Sequence, residues 1–306
     1  MTVRSARLAV YTTAHPGVTK YLLPWYRSLA EQTDRNYDLW IGLDGIRPGT
    51  VKDLLGEDPA ARWVPAEEGA SPAGVRHEAI KQMVELYPAV VFVDSDDLLE
   101  KSRVEAARRA LLNSDLTGCA MHIIDESGRD TGLVFSAPGG MDLAELIIRN
   151  NVFGLSNTAY RSELLRQCLP LPEDTCLVDW FLATRAWTLG ARLGFDPACR
   201  MSYRQYHANT ASILPPFTAR RIRSDTQKVL GHYRGLLNKV PGLKEEHRSR
   251  LESARDKVEK FRRSVEGSPV VLKNYLRALN SQEPRLIWWS SVASPELEHL
   301  WSGTVE

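Results

Sequence analysis

The sequence has few cysteines, no long apolar run and almost no net charge, and each scarcity excludes a class of protein. The four cysteines, Cys119, Cys168, Cys176 and Cys199, form no Cys-x-x-Cys pair, so neither a disulfide scaffold nor a structural zinc site is expected. No stretch reaches the roughly 18 apolar residues of a transmembrane helix, and no signal-peptide segment follows Met1. We therefore expect a globular, cytoplasmic protein.

The net charge of the chain is only +1, but the charge is distributed unevenly. Residues 214–265 contain fourteen Lys or Arg and six Asp or Glu. Apolar residues near helical spacing within 217–265, with a break at Pro241-Gly242, predict two basic helices. Such helices could make a peripheral contact with the inner face of a membrane, although a charge run is more often a solvated helix face. We expect no nucleic-acid partner.

Predicted strands and helices alternate from Leu8 to about Gln205, which is typical of a mostly parallel sheet covered by helices. A hairpin turn at 125–128 interrupts the alternation and predicts a sheet of mixed strand direction. We predict an α/β domain at 1–213 and a basic helical extension at 214–306. The core of the extension is expected to include Trp288, Trp289 and Trp301, and the alternative is that these side chains anchor in a membrane interface.

An apolar segment, 89–93, ends abruptly in the acidic sequence Asp94-Ser95-Asp96-Asp97. On an extended backbone alternate side chains share a face, so the carboxylates of Asp94 and Asp96 are expected to converge. Mg²⁺ and Mn²⁺ prefer such oxygen ligands, and ligands of open α/β sheets bind outside the carboxyl ends of the strands. The alternative is an acidic cap at the start of the next helix.

Several short segments occur together in the order and spacing of one known family. They resemble the family 2 glycosyltransferases of the GT-A fold, and the resemblance covers about residues 6–213. The segments are Tyr11-Thr12-Thr13, Ser28-Leu29 with Gln32-Thr33, Gly42-Leu43-Asp44-Gly45, Ala73-Gly74-Val75-Arg76-His77 and Val93-Asp94-Ser95-Asp96-Asp97.

The resemblance implies roles for individual residues. Asp44 is expected to accept a hydrogen bond from the nucleotide base, and Thr12 and Thr13 to contact the nucleoside. Asp94 is assigned mainly to the ribose or sugar, and Asp96 to a divalent cation, Mn²⁺ or Mg²⁺.

The resemblance places Arg76 near the nucleotide, and the helix dipole supports the same position. Arg76 falls in the first turn of a predicted helix, 73–87, where the helix dipole disfavours a cation by roughly 0.3 to 1 kcal/mol. A nearby anion, the base or a phosphate of the donor, would remove that penalty. The alternative is a surface arginine that extends into solvent.

The candidate general base is Asp179, in the first turn of a helix that is apolar nearly all round. It resembles the Asp of the family's Glu-Asp motif, although Val178 stands where Glu is usual. Glu173-Asp174 spells the motif literally in a Pro-rich loop, so Asp174 is the substitute. A structural alternative for Asp179 is to satisfy open amides at the helix N-terminus.

The segment 203–210 looks like the family's Tyr-Arg-x-His-x-Asn element with one extra residue before the histidine. The resemblance makes His207 a third metal ligand or a diphosphate contact, and Arg204 a structural or phosphate-binding partner. It also places Asn157 and Thr158 on the acceptor side. A histidine that is simply hydrogen bonded is the alternative for His207.

The activity that the resemblance implies is transfer of a sugar, with inversion, from a UDP-, dTDP- or GDP-linked donor to a hydroxyl acceptor such as a glycan, a lipid-linked glycan or a natural product. Polysaccharide biosynthesis is one setting for such a reaction. One alternative is a nucleotide-sugar binding module without catalysis. A nucleotidyltransferase is a weaker one, since it needs a Gly-rich basic loop that residues 13–17 do not supply.

Overall fold

The computed structural model describes residues 3–67, 69–207 and 209–303. The chain forms two compact units: unit 1 comprises Met1–Pro138 and Phe153–Gln205, and unit 2 comprises Gly139–Val152 and Tyr206–Glu306. The predicted boundary at 213/214 therefore falls inside unit 2. Residues 139–152, assigned to the first domain from the sequence, also belong to unit 2.

Unit 1 is built on one nine-stranded sheet. The strands lie in the order β3-β2-β1-β4-β8-β6-β9-β5, with β7 pairing on β6. β1 is parallel to β2 and β4, and β2 is parallel to β3, whereas β8 is antiparallel to both β4 and β6. The predicted mixed sheet is confirmed. The strands are β1 (Leu8–Ala14), β2 (Tyr37–Leu43), β3 (Ala61–Pro65), β4 (Ala89–Phe92), β5 (Leu98–Leu99), β6 (Leu116–Ile124), β7 (Asp130–Phe135), β8 (Ala159–Arg161) and β9 (Leu193–Arg204).

The first four strands position the site. Every residue of β1 and β4 is buried, because each of these short apolar strands has a neighbour on both sides. β1 pairs with β2 from Leu8↔Tyr37 to Ala14↔Leu43, and with β4 at Ala9↔Val90 to Tyr11↔Phe92. The carboxyl ends of β2, β1 and β4 therefore lie side by side at one end of the sheet.

Two helices of unit 1, α2 and α6, were not predicted from the sequence. Helix α2 has only eight residues, and no side chain caps its start at Arg47; Gly56, with φ of 76°, ends it in the left-handed conformation. The helices are α1 (Leu22–Ala30), α2 (Pro48–Leu55), α3 (Pro72–Leu86), α4 (Arg103–Ala110), α6 (Ser162–Cys168) and α7 (Val178–Thr188), with α5 (Leu143–Arg149) in unit 2 and a 3₁₀ helix at Pro16–Tyr21.

Unit 2 is helical. The two basic helices predicted from the sequence are α8 (Ala219–Lys239) and α9 (Glu245–Gly267), and the break between them is confirmed. A further helix, α10 (Pro269–Ser281), and a 3₁₀ helix at Pro295–Leu300 follow. The segment 139–152 joins this unit because the hydroxyl of Tyr233 in α8 donates to the Ile148 carbonyl oxygen of α5, at 2.7 Å.

The tryptophans of unit 2 lie in its core, as predicted. Trp288, Trp289 and Trp301 are each at most 6% exposed. The Trp301 ring meets Phe261 of α9 edge to face, with the ring centroids 5.3 Å apart. These aromatic side chains therefore stabilise the helical unit by burial of large apolar surfaces.

Many basic side chains of α8 and α9 are paired within unit 2, which favours the solvated-face interpretation of the charge run. Examples are Arg221 with Asp225 at 2.8 Å and Lys257 with Glu298 at 2.6 Å. No helix in the described part of the chain is both long and apolar enough to cross a bilayer. Peripheral contact with a membrane stays a prediction.

Acid should destabilise unit 2 through His232. Burial lowers the pKa of this histidine to about 3, so the folded state excludes a proton that the unfolded chain accepts near pH 6.5. The stabilisation of the neutral form is present above pH 6.5 and is lost as the pH falls toward 3. We expect a loss of about 2 kcal/mol in the free energy of unfolding between pH 7 and pH 5 from this group.

Urea unfolding at the two pH values measures this loss. The His232→Gln variant should lose less stability between pH 7 and pH 5 than the wild type does. His299→Gln is the matched control, because His299 is exposed in the same unit. Equal pH dependence in wild type and His232→Gln would contradict the assignment.

Candidate functional site

The site lies at the carboxyl ends of β2, β1 and β4, where hydrogen bonds tie the three strands together. The Asp44 amide donates to the Ala14 carbonyl oxygen at 2.9 Å, and the Ser95 hydroxyl donates to the Thr13 carbonyl oxygen at 2.7 Å. Asp44 and Asp94 therefore follow strands on opposite sides of β1. A crevice at this edge is the usual ligand position in such sheets.

The acidic turn after β4 separates its carboxylates into two roles. Asp97 is 1% exposed and accepts hydrogen bonds from the Ser156 hydroxyl and, at 2.7 Å, from the Arg204 amide. Burial, followed by the charges of Asp96 and Asp94, raises the pKa of Asp97 well above its usual range. Asp97 thus holds the turn, whereas Asp94 and Asp96 remain half-buried.

Arg204 supports the same turn. Its Nε donates to the Asp96 carbonyl oxygen at 2.8 Å, and its Nη1 donates to the carbonyl oxygens of Asp125 and Glu126 at 3.2 and 3.1 Å. The guanidinium also lies 4.6 Å from the centroid of the Tyr21 ring. Of the two roles predicted for Arg204, the structure supports the structural one.

Three charged side chains, Asp96, Arg76 and Asp179, act on the carboxyl group of Asp94. Burial and the charges of Asp96 and Asp179, opposed by Arg76, together raise the pKa of Asp94 to about 7. The four residues come from the turn after β4, from α3 and from α7. Arg76 and Asp179 are distant from the acidic turn in the sequence, and the fold places both within electrostatic reach of the Asp94 carboxyl group.

Arg76 lies in the second turn of α3 rather than the first, because the helix begins at Pro72 behind the cap residue Ser71. Its Nη1 donates to the Pro72 carbonyl oxygen at 3.0 Å, while its buried Nε bonds none of the described residues. The Ser71 hydroxyl donates to the Glu173 carbonyl oxygen at 2.7 Å. That bond links the start of α3 to the loop before α7.

The two threonines of β1 are buried. Thr13 Oγ1 lies 3.1 Å from the Tyr11 hydroxyl, and Thr12 Oγ1 has no hydrogen-bond partner among the described residues. Gly42 on β2 is required beside them, since a Cβ there would overlap the Tyr11 hydroxyl. Contact of Thr12 and Thr13 with a nucleoside stays a prediction.

His15 is a member of the site that sequence reasoning missed. It follows β1 directly and is half-buried. The pKa of His15 is lowered overall. Burial lowers it most, the charges of Asp96 and Asp44 raise it, and the charge of Arg76 lowers it. A single histidine before Pro16 gave no recognisable pattern; only the folded chain places it among these charges.

The two candidate bases differ in position. Asp179 is half-buried in the first turn of α7 and is one of the charges that raise the pKa of Asp94, whereas Asp174 is exposed in the preceding loop. Val178, where Glu was expected, is 5% exposed. A carboxylate at that position would be buried at a cost, so valine fits the packing of α7.

Two of the predicted assignments gain no support from the structure. Asn157 and Thr158 are fully buried. The side-chain Nδ2 of Asn157 donates to the Cys119 carbonyl oxygen at 2.7 Å, and the Thr158 hydroxyl donates to the Gly154 carbonyl oxygen at 2.8 Å. Because these side chains are inaccessible and hold their own loop, we assign them a structural role instead of the acceptor side. His207 is exposed and belongs to unit 2, and its metal role stays a prediction.

The chemistry of Asp94 and Asp96 fits a divalent cation. Among the described residues no group of three or more His, Cys, Asp or Glu side chains is placed to hold a metal ion. Mg²⁺ is nevertheless usually bound by one or two carboxylates together with substrate phosphates, rather than by a cage of protein ligands. Asp94 and Asp96 are two carboxylates that repel each other at the ligand crevice, so they fit the protein's share of such a site.

Solved structures resemble this chain over most of its length. TarS 1-349 from S. aureus has a TM-score of 0.59 at 18% identity, covering 87% of this chain and 75% of TarS 1-349. The same protein in complex with UDP-GlcNAc has a TM-score of 0.54 at 18% identity, covering 89% and 87%. The mannosyltransferase PcManGT from Pyrobaculum calidifontis, in complex with GDP-Man and Mn²⁺, has a TM-score of 0.57 at 14% identity, covering 99% and 90%.

No protein-family profile and no curated protein matches the sequence. At identities below 20% the structural likeness establishes the fold alone. The neighbours have the GT-A fold, so the GT-A fold predicted from the motifs is confirmed. Membership of family 2 stays a prediction.

Proposed function

We propose that this chain is an inverting glycosyltransferase that moves a sugar from a nucleoside-diphosphate donor to an acceptor hydroxyl and requires Mn²⁺ or Mg²⁺. The observation that carries the proposal is the convergence of Asp94, Asp96, Asp179 and Arg76 at the carboxyl-end crevice of a GT-A sheet. The similarity to TarS in complex with UDP and to a mannosyltransferase in complex with GDP-Man and Mn²⁺ supports a nucleotide-sugar ligand.

The donor end of the site suits a nucleoside diphosphate. Asp44 would accept a hydrogen bond from the base, Asp94 would bind the ribose or sugar, and Asp96 would hold the cation. When bound, the cation neutralises charge on the diphosphate as it leaves. The Arg76 guanidinium, whose Nε is buried and bonds none of the described residues, would bind the nucleotide as a further cationic donor.

Asp179 is the proposed general base. In the reaction the acceptor oxygen forms a bond to the anomeric carbon while the bond from that carbon to the diphosphate oxygen breaks, and its electron pair leaves with the nucleoside diphosphate. Asp179 takes the acceptor hydroxyl proton. Attack opposite to the departing diphosphate inverts the anomeric carbon.

The acceptor is the least defined partner. A hydroxyl of a glycan, a lipid-linked glycan or a natural product would suit the same chemistry, since one scaffold supports many acceptors. We propose a cytoplasmic site of action, with peripheral membrane contact through α8 and α9 as a secondary proposal. Transfer or donor hydrolysis above background would separate an enzyme from a non-catalytic nucleotide-sugar binding module.

Ligand-induced stabilisation tests the proposal. We expect one of UDP, GDP, dTDP or CDP to raise the melting temperature of the full chain in the presence of Mn²⁺, and to do so much less in EDTA. A ligand at 100 times its dissociation constant adds about 2.7 kcal/mol to the free energy of unfolding. If no nucleoside diphosphate stabilises the protein with Mn²⁺, the proposed function is wrong.

A further inference from the structure

His15 lies between the two ends of the proposed donor site. It follows β1 at the crevice, and Pro16 beside it approaches Gly45, where a Cβ would lie 3.7 Å from the proline Cδ. The charges of Asp44 and Asp96, on either side of β1, both act on its imidazole, as does Arg76. Asp44 is the proposed contact of the base and Asp96 that of the cation. A nucleoside diphosphate that spans those two residues would place its diphosphate near His15.

The hydrogen bonding of His15 fixes which ring nitrogen carries the proton. The Gly17 amide donates to the His15 Nδ1 at 3.2 Å, and this bond caps the 3₁₀ helix at Pro16–Tyr21. A backbone N–H can only donate, so Nδ1 is unprotonated and the proton of the neutral ring is on Nε2. The ring lies close against Gly17, since a Cβ there would come within 3.0 Å of His15 Cε1 and crowd the ring. Nε2 therefore presents an N–H on the far side of the ring from the cap.

We propose that His15 is a donor-binding residue whose Nε2–H donates a hydrogen bond to the diphosphate of the nucleotide-sugar donor. The proposal rests on the proposed function of the same site. A neutral N–H donor contributes a directed bond to an anion without adding a second cation beside Arg76. The cap and the ligand contact use opposite nitrogens of one ring, so a substitution can separate them.

His15→Asn separates the two roles. The Asn side-chain oxygen can accept the Gly17 amide and keep the cap, since Asn is among the best capping residues, but the side chain is shorter and carries no equivalent of Nε2–H. His15→Ala removes both roles. The experiment measures binding of UDP, GDP, dTDP and CDP and of the matching monophosphates, each with Mn²⁺, to the wild type and to both variants by calorimetry. The melting temperatures of the three proteins are measured as well.

We expect His15→Asn to bind the preferred nucleoside diphosphate about 10- to 100-fold more weakly than the wild type, with an unchanged melting temperature. Binding of the matching nucleoside monophosphate should change less, because the lost bond is to the diphosphate. His15→Ala should show the same loss of affinity and also a lower melting temperature.

Three results would overturn the inference in distinguishable ways. If the wild type binds the diphosphate with Mn²⁺ and His15→Asn binds it equally well, His15 is only a helix cap, while the proposed function survives. If the wild type binds none of the nucleotides with Mn²⁺, the proposed function and the role of His15 fail together. Equal weakening of monophosphate and diphosphate binding in His15→Asn would also exclude the diphosphate contact.

Discussion

Asp179→Asn should retain donor binding and lose about 100- to 10,000-fold in kcat, the usual contribution of a general base. The substitution preserves the shape of the side chain and removes its ability to take a proton. Steady-state transfer to an acceptor measures kcat, and calorimetry with the nucleoside diphosphate and Mn²⁺ measures binding. Unchanged kcat would remove Asp179 from the mechanism.

The electrostatics of the site sharpen this prediction. Burial raises the pKa of Asp94 most, and the charge of Asp179 adds to that increase. Without that charge, the pKa of Asp94 should fall, and more of this carboxyl group should be ionised at neutral pH. Cation-dependent binding in Asp179→Asn should therefore be as tight as in the wild type or tighter. A variant that had merely unfolded would lose both binding and turnover.

Asp174→Asn is the matched control for the base. Asp174 belongs to the literal Glu-Asp pair, but it is exposed in the loop before α7. We expect its substitution to leave kcat within a few fold of the wild type. If Asp174→Asn lost turnover and Asp179→Asn did not, the base would be Asp174 instead.

The strands that carry the site were predictable from the sequence. The segment 89–93 is apolar and ends in carboxylates, and β4 and its acidic turn follow that pattern directly. β1 and β2 were equally clear, because an interior parallel strand must be apolar on both faces. The resemblance gave Asp94 and Asp96 different roles, and the structure separates Asp97 from both, because Asp97 accepts hydrogen bonds from the Ser156 hydroxyl and the Arg204 backbone amide.

The features that the sequence did not reveal depend on tertiary contacts. Residues 139–152 form part of unit 2 because α5 packs there, and no local pattern encodes that partner. Asn157 and Thr158 were predicted to face an acceptor because the family resemblance places them on the acceptor side. In the structure their side chains satisfy buried backbone groups of that loop and of β6. His15 lacked any pattern, and its significance comes from the three charges around it.

Removal of one carboxylate at the cation site should have the second large effect. We expect Asp96→Asn to abolish Mn²⁺-dependent binding of the nucleoside diphosphate and to reduce kcat/KM by at least the 100-fold that one electrostatic contact at a reacting centre typically contributes. The amide keeps the volume of the side chain but removes the negative charge. Calorimetry with and without Mn²⁺ measures the binding.

The same variant should be more stable than the wild type when no cation is present. Burial and the Asp96 charge both raise the pKa of Asp94, which means that ionising both carboxyl groups is unfavourable in the folded state. Because the pKa of Asp94 is raised in the folded state, the folded wild type loses stability as the pH rises through about 7. The stability that Asp96→Asn gains over the wild type should therefore be larger at pH 8 than at pH 5. Urea unfolding in EDTA at the two pH values measures it. Stability gained together with binding lost would identify Asp96 as a functional carboxylate, because functional sites commonly sacrifice stability for activity. Full Mn²⁺-dependent binding in Asp96→Asn would exclude it as a ligand.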